Sequence, residues 1–525
     1  MRLFNTAGEC LPDRHYMLPP EPRLPDARRL IDEGAYFVVH APRQTGKTTA
    51  IVALSRILTA EGRYAAVYTT CEGGRAAGDD YGAAERSILS VLRRRAESDL
   101  PAELHPPPWP AAPDGDQLQA ALAAWARACP RPLVVFFDEI DPLSGATLLS
   151  VLGQLRGASG ERPAGFPHSV VLCGLRDVRD YKVPRNGRTP RLGGGSQFNI
   201  KVDSLRVGDF TADEVRELYA QHTAETGQPF TDEAVRRAFD YSQGQPWLVN
   251  ALAYDITRVM PVPPPTPITA EHMDRARERL ILARQTHLDS LVDKLGEDRV
   301  REVIEPLLTG ELPEVDATFN DNVAYLRDLG LIARDRPVRV ANPIYHEVIA
   351  RVLSDPTEEQ VMVDPRSFVL PDGRLDFGKL LDEFADFWRQ HGEFMERTDY
   401  YHEAAPQLVM MGFLHRVVNG GGLVDREYGL GRGRLDLTVR WPYPGSGGKR
   451  EWQIEAIELK VWRDGRSDPL RQGLEQLDSY LDRLRLDHGT LVIFDRRAAA
   501  PPPPLRTAFD EDRTPSGRAV TILRA

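Results

Sequence analysis

The sequence predicts an α/β protein in two parts: a parallel sheet flanked by helices in the N-terminal region, extended by an all-helical stretch, and a separate α/β segment at the C-terminal end. Three observations predict it. Short, fully apolar runs alternate with helical periods between residues 24 and 200, the pattern of strands buried on both faces between helices. One of these runs, Tyr36 to His40, leads directly into a Gly-Lys-Thr loop and a helix. Another, Leu133 to Phe137, ends in two acids, Asp138 and Glu139.

Length and composition set the frame. A chain of 525 residues is too long for one hydrophobic core, so two to four domains are expected. Hydrophobic residues at 42% and charged residues at 27% describe a globular protein. The net charge of −11 excludes a global nucleic-acid footprint, so any such contact rests on a local patch. Cys10, Cys71, Cys129 and Cys173 lie far apart and read as reduced thiols, not a disulfide framework. The first residues lack an apolar signal-type stretch, and no apolar run approaches membrane-spanning length. The expectation is a cytoplasmic protein with no membrane partner.

In chain order, Tyr36 to His40, Ala65 to Thr69, Leu133 to Phe137 and Val170 to Cys173 read as the buried strands of a core spanning 1–204, with loops at 101–114 and 184–196. Residues 205–295 have a helical period: Thr211 with Glu214 forms a capping box, Thr231 opens a second helix, and a charged helix begins near Thr269 after the Pro-rich 261–267. Residues 296–355 read as a winged helix, with Leu331 to Arg334 and Val338 to Ala341 as its hairpin. Residues 356–375 read as a linker. Within 376–525, helices are expected near 376–396, 399–418 and 469–485, and strands near 423–428, 434–440, 452–461 and 489–494. Pro501 to Pro504 reads as stiff polyproline.

The run Ala41-Pro42-Arg43-Gln44-Thr45-Gly46-Lys47-Thr48 matches the P-loop pattern with Ala for its first Gly. Such a loop turns backbone N–H groups onto phosphate oxygens above a helix N-terminus. Arg43, Gln44, Thr45, Gly46, Lys47, Thr48 and Thr49 are the expected ATP-contacting set. Gly46 lets the chain turn, Lys47 reaches the β- and γ-phosphates, and the Thr48 hydroxyl ligates Mg²⁺. A degenerate pattern of this kind also arises by chance, and an acidic turn after a core strand is common. The strand–loop–helix context, together with Asp138 for Mg²⁺ and Glu139 to polarise the attacking water, favours the ATP site.

From Phe4-Asn5-Thr6-Ala7-Gly8 through Arg14-His15-Tyr16 and the P-loop, then Gly174-Leu175-Arg176-Asp177-Val178-Arg179-Asp180 and Gly244-Gln245-Pro246-Trp247, the chain resembles bacterial AAA-like ATPases close to the STAND and archaeal-type group. The resemblance covers residues 1–355. It implies an ATPase core with a helical lid and winged helix, Arg176 as a sensor or trans-acting arginine, His15 and Tyr16 flanking the adenine, and a homo-oligomer formed on ATP binding. The winged helix reads as structural more than as a DNA contact, because its helix 317–329 carries Asp321 and Asp328 against one Arg327.

In the C-terminal segment, Asp436 shares one strand face with Arg434 and Thr438, while Glu458 and Lys460 stand opposite Ile457, Leu459 and Val461 on another strand. Two acids and a lysine on adjacent strands can bind Mg²⁺ or Mn²⁺ and steady a water beside a phosphodiester. A Glu-x-Lys alone arises constantly by chance. The order of helix, Asp strand, Glu-x-Lys strand and Gln helix is what resembles the PD-(D/E)xK nuclease fold over residues 376–495. That resemblance implies metal ligation by Asp436 and Glu458, water orientation by Lys460, and support from Glu403 and Gln476. Leu435 stands where the motif's name has Pro. Arg426, Arg432, Arg434, Arg440, Lys449, Arg450, Arg463 and Arg466 supply a local positive patch for nucleic acid, DNA in the first instance. The sequence thus points to an ATPase controlling a Mg²⁺-dependent nuclease, in bacterial defence by analogy of architecture. The alternatives are an ATP-driven signalling switch whose C-terminal domain only binds a partner, and a DNA motor or clamp.

Overall fold

A computed structural model describes residues 2–525 apart from 20, 144, 176–200, 261, 284–285, 310–319, 359–367, 398–404, 419–421, 428–435 and 446–449. The chain divides into two compact units, Met1–Ala283 with Arg327–Gly330, and Arg284–Leu326 with Leu331–Ala525.

The first unit is built on five parallel strands, β1 (Tyr36–His40), β2 (Ala65–Thr70), β3 (Leu133–Asp138), β4 (Ser169–Gly174) and β5 (Lys201–Arg206), in the order β2-β3-β4-β1-β5. Helices α1 (Ala27–Asp32) and α2 (Lys47–Ala60) cover one face, and α3 (Tyr81–Asp99), α4 (Gln117–Ala128) and α5 (Gly145–Gly157) the other. Successive strand residues divide between the two cores. Val38, Val135 and Phe137 enter the α3–α5 side, while Phe37, Val39 and Phe136 enter the α1–α2 side. This two-sided burial explains why the strands are apolar without alternation. The sequence reading missed β5. Its residues Lys-Val-Asp-Ser-Leu-Arg carry an edge strand against β1, and charged residues at an edge hide the apolar signal.

Four helices complete this unit: α6 (Ala212–Thr226), α7 (Asp232–Ser242), α8 (Pro246–Tyr254) and α9 (Ala270–Leu282). The Thr211/Glu214 capping box is formed, and Thr231 caps α7 through the Ala234 N–H. Gly244, at φ 78°, turns the chain into α8, and a Cβ there would lie 1.8 Å from the Phe210 carbonyl oxygen.

The second unit holds α10 (Thr286–Leu295), α11 (Asp298–Thr309), most of α12 (Asp321–Leu329) and α13 (Pro343–Glu358). Between α12 and α13 the expected hairpin closes, Ala333 N donating to Arg339 O at 2.8 Å and Ala341 N to Leu331 O at 2.9 Å. A six-stranded mixed sheet follows, ordered β10-β11-β9-β8-β7-β6, from β6 (Leu423–Glu427), β7 (Asp436–Pro444), β8 (Arg450–Trp462), β9 (His488–Asp495), β10 (Ala508–Arg513) and β11 (Ala519–Arg524). Helices α14 (Phe377–Arg397), α15 (Ala405–Val418) and α16 (Leu470–Leu484) accompany it. The sequence reading did not anticipate β10 and β11. The polyproline expectation is corrected in part. Pro502 keeps φ −60° and ψ 153°, but Pro503 and Pro504 open a one-turn helix α17 (Pro503–Arg506), where a missing N–H costs nothing.

Two glycines test how close packing constrains the α6–α9 helices. Gly227→Ala, at φ 71° with open space around it, should cost about 1 kcal/mol from backbone strain alone. Gly244→Ala should cost at least about 2 kcal/mol more, because rigid backbone blocks the added methyl. Urea unfolding of the two variants side by side checks this, and equal midpoints would refute it.

Candidate nucleotide site and C-terminal carboxylate site

Loop 41–46 leaves β1 and feeds α2, whose N-cap is Gly46 at φ 82°. Gln44 also takes a left-handed φ of 57°, and Thr45 Oγ1 donates to Pro42 O at 2.9 Å, so the loop curls around its own interior. Lys47 Nζ donates to Ala41 O at 3.0 Å, which holds the ammonium over the loop. Arg43 and Gln44 are exposed, and Thr49 Oγ1 accepts from Cys10 N at 3.1 Å.

Asp138 closes β3 and is fully buried. Its Oδ2 accepts from Thr48 Oγ1 at 2.6 Å and from the Tyr68 hydroxyl at 3.4 Å. A hydroxyl and a carboxylate oxygen in contact, beside a lysine, form a donor set suited to a hard divalent cation. Glu139 follows with φ 53°, an uncommon conformation for a side-chain-bearing residue, and its N–H is held by Asp138 Oδ1 at 2.9 Å. Burial, then the neighbouring Asp138 charge, pushes the Glu139 carboxyl above its ordinary range against the opposing pull of Lys47.

Of the two residues expected beside adenine, His15 accepts at Nδ1 from Leu11 N at 2.9 Å, fastening the N-terminal loop. Tyr16 borders the cleft beside the P-loop. Its ring packs on Phe4, its hydroxyl meets His222 Nδ1 at 3.3 Å, and burial lifts its pKa to about 12. Arg176 lies outside the described residues. Sequence reasoning missed Arg23, whose Nη1 donates to Thr45 O at 3.0 Å and whose guanidinium stacks on Phe210. It also missed Tyr68. No local pattern marks these two, since each acts across the tertiary structure. Gln245, from the Gly244–Trp247 run, points its Nε2 at Gln44 O at 3.5 Å.

The P-loop lies at the carboxyl end of β1, and β4 separates β1 from the acid-bearing β3. This is the P-loop NTPase fold. No protein-family model matches the chain. No curated protein matches it either. Among solved structures it is similar to a Walker-type ATPase of Pyrococcus abyssi, at 12% identity and a TM-score of 0.48 over 66% of this chain and 99% of that one. It is also similar to Cdc6p from Pyrobaculum aerophilum, at 15% identity and 0.34 over 67% and 97%. A third likeness is to the RuvB Holliday junction branch migration motor of Thermotoga maritima, at 14% identity and 0.32 over 63% and 93%. The fold assignment stands on strand order and loop geometry, not on these overlaps. Among the described residues no helix is long and apolar enough to cross a membrane.

In the second sheet, Glu458 and Lys460 lie on β8 with 1% and 8% exposure. The sequence reading placed the buried face on the Ile457, Leu459 and Val461 side. The structure corrects this, because both faces are covered. Phe494, paired with Val461, packs on Phe384 and Trp388 of α14. On the other face Ala456 joins Leu491 and Ile493, the partners of Glu458 and Lys460, beneath Leu474, Leu477 and Leu481 of α16. Lys460 Nζ is ion-paired to Glu458 Oε1. Glu458 Oε2, Thr438 Oγ1 and Gln476 Oε1 are buried without a hydrogen-bond partner among the described residues. Asp436 opens β7, one residue before Leu437, which pairs with Ile457. The backbone register therefore brings Asp436 beside Glu458, while its side chain, like Glu403, Arg432, Arg434 and Lys449, lies outside the described residues. Of the basic patch, Arg440 and Arg450 approach the exposed Trp452 ring at 5.7 and 5.1 Å. Among the described residues no group of three or more Asp, Glu, His or Cys side chains is placed to hold a metal ion.

A buried ion pair makes a sharp prediction. Lys460→Met should destabilise the second unit by about 3 kcal/mol or more, since it strands a buried carboxylate. The double substitution with Glu458→Gln should recover much of that loss. A double variant no more stable than Lys460→Met, by urea unfolding at neutral pH, would show that the carboxylate is not the source of the cost.

Proposed function

We propose that the first unit binds and hydrolyses ATP with Mg²⁺, and that this turnover controls a Mg²⁺- or Mn²⁺-dependent nuclease in residues 376–525. The observation that carries the ATPase reading is the 2.6 Å contact of Thr48 Oγ1 with Asp138 Oδ2, with Lys47 beside Thr48 in the first turn of α2. Bound Mg²⁺ supplies charge neutralisation at the phosphates. Loop N–H groups and Lys47 bind the β- and γ-phosphates, Thr48 and Asp138 hold the cation, and Glu139 takes a proton from the attacking water. Arg43, Gln44, Thr45, Gly46 and Thr49 complete the phosphate cradle, with Arg176 as the arginine that senses the γ-phosphate in cis or from a neighbouring copy. DNA as substrate, a role in defence and ATP-dependent self-assembly belong to the same proposal.

Support for the nuclease reading is the buried, half-satisfied Glu458 carboxylate beside Lys460, with the Asp436 backbone one register step away. The unpaired Glu458 carboxylate oxygen and Thr438 hydroxyl on one sheet face, with a further unpaired amide oxygen at Gln476 of α16, are oxygen ligands of the type a divalent cation takes. A bound divalent ion would acidify its water and offset phosphodiester charge. Asp436 and Glu458 would hold it, Lys460 would orient the water, and Gln476 and Glu403 would support them.

For the ATPase, Lys47→Ala should abolish Mg–ATP binding or reduce turnover by about a hundredfold or more. Glu139→Gln should bind ATP and lose turnover by a similar factor. The base form of Glu139 is the active one and its folded pKa is raised. The wild-type kcat/KM should therefore fall on the acid side at a pH above the ordinary glutamate range. Unchanged turnover in both variants ends the assignment.

For the nuclease, cleavage of DNA or RNA should require Mg²⁺ or Mn²⁺ and vanish in Asp436→Ala, Glu458→Ala and Lys460→Ala, with ATP binding intact in all three. Added Mn²⁺ should partly rescue the carboxylate variants and not Lys460→Ala. If cleavage is real and ATP controls it, Glu139→Gln should alter its ATP dependence. Wild-type inactivity on both substrates with ATP and both metals would favour a signalling switch instead.

A further inference from the structure

The cleft beside the P-loop is walled by the N-terminal segment, the start of α2 and the part of α8 that carries Pro246, Trp247 and Asn250. Its polar groups are closely engaged with one another. Asn5 Oδ1 accepts from Ala7 N at 3.1 Å while Asn5 Nδ2 donates to Gly8 O at 3.0 Å. Trp247 Nε1 donates to Thr6 O at 2.8 Å, and Thr49 Oγ1 accepts from Cys10 N at 3.1 Å.

Asn250 departs from this pattern. It is 7% exposed, and its Nδ2 donates to Pro246 O one helical turn back, at 2.8 Å. Its Oδ1 is buried with no hydrogen-bond partner among the described residues. Such an oxygen is unfavourable until a donor meets it. The bond to Pro246 also decides which end of the amide is left over. Turning the amide around would set Oδ1 against the Pro246 carbonyl oxygen, two acceptors with no proton between them.

We infer that Asn250 reads the base of the bound nucleotide, its Oδ1 accepting a hydrogen bond from the exocyclic 6-amino group of adenine. This rests on the reading of the cleft as a nucleoside triphosphate site. Purines with a 6-oxo group present an acceptor at that position and leave Asn250 Oδ1 facing a second oxygen. Unsubstituted purine leaves it unpaired. A site built around a hydrogen bond rejects analogues that lack the donor more strongly than an apolar pocket does. Asn250 therefore makes the cleft selective for adenine nucleotides, with apolar contact from Trp247 and Pro246 adding affinity without discrimination.

The test measures equilibrium binding of ATP, inosine triphosphate, GTP and purine riboside triphosphate, each with Mg²⁺, to the full chain. Wild type should bind ATP at least about tenfold more tightly than the inosine and purine riboside analogues. Asn250→Leu, of similar volume, should weaken ATP by that factor and leave the purine riboside analogue unchanged, so the preference disappears. Asn250→Ser serves as a second, smaller replacement if the leucine perturbs folding, and the wild-type comparison needs no variant at all. Equal wild-type affinity for ATP and inosine triphosphate overturns the inference, as does full ATP preference in a folded Asn250 variant. Lys47→Ala separates the two levels. Binding of all four nucleotides that is indifferent to Lys47, or absent altogether, overturns the nucleotide-site reading itself, whereas Lys47-dependent binding without base preference overturns only the role of Asn250.

Discussion

Thr48, in the first turn of α2, and Asp138, at the end of β3, meet at 2.6 Å although β1, which leads into the P-loop, does not pair with β3. The sheet order inserts β4 between β1 and β3, so the loop after β1 and the carboxyl end of β3 converge only above the sheet. The candidate nucleotide site depends on holding that convergence. Cys71 N donates to Asp138 O at 2.8 Å from the β2 side, and Ile140 N to Cys173 O at 3.0 Å on the β4 side. Pinned at both ends, the turn leaves Glu139 at φ 53° with its amide on Asp138 Oδ1. The strain of that conformation is borne by the surrounding hydrogen bonds, and burial together with the Asp138 charge raises the Glu139 carboxyl above its ordinary range while Lys47 opposes the shift.

The helical continuation is tied to the same loop from the other side. Gly244 approaches Phe210 so closely that no side chain fits, and this turn presents Gln245 to the Gln44 carbonyl and Trp247 to Thr6 O. Arg23 spans the two regions, donating to Thr45 O and Gly208 O while stacking on Phe210. The N-terminal segment, the P-loop and α8 thereby enclose one cleft, and the orientation of the Asn250 amide is decided by a carbonyl four residues away in its own helix.

The C-terminal sheet uses polar groups differently. A lysine–glutamate pair under α16 is an expensive way to fill a core, because desolvation offsets most of the Coulomb attraction. Gly473 lets α16 lie directly on Leu491, where a Cβ would meet Leu491 Cδ1 at 2.7 Å. On the sheet face beneath α16, Glu458 Oε2 and Thr438 Oγ1 are buried without a hydrogen-bond partner among the described residues, as is Gln476 Oε1 on α16 itself. Apolar residues of similar size would have packed there without such a deficit.

What the sequence determined by itself was local. The apolar runs of β1 to β4, the strand–loop–helix around Lys47, the acids closing β3 and the caps at Thr211 and Thr231 are set by neighbours within a few residues, so periodicity and turn chemistry reveal them. The Glu458/Lys460 pairing was legible for the same reason, since residues two apart on a strand share a face. The tertiary structure decided what depends on distant neighbours. It made Lys201–Arg206 a strand by setting it against β1, and added β10 and β11 beyond β9. It buried both faces of β8, brought Arg23 and Asn250 to the P-loop cleft, and set Tyr68 against Asp138, all far apart in sequence. Burial and hydrogen-bond completion are properties of the packed chain. A charged edge strand or a lone asparagine carries no periodic signal of the partner that folding supplies or withholds.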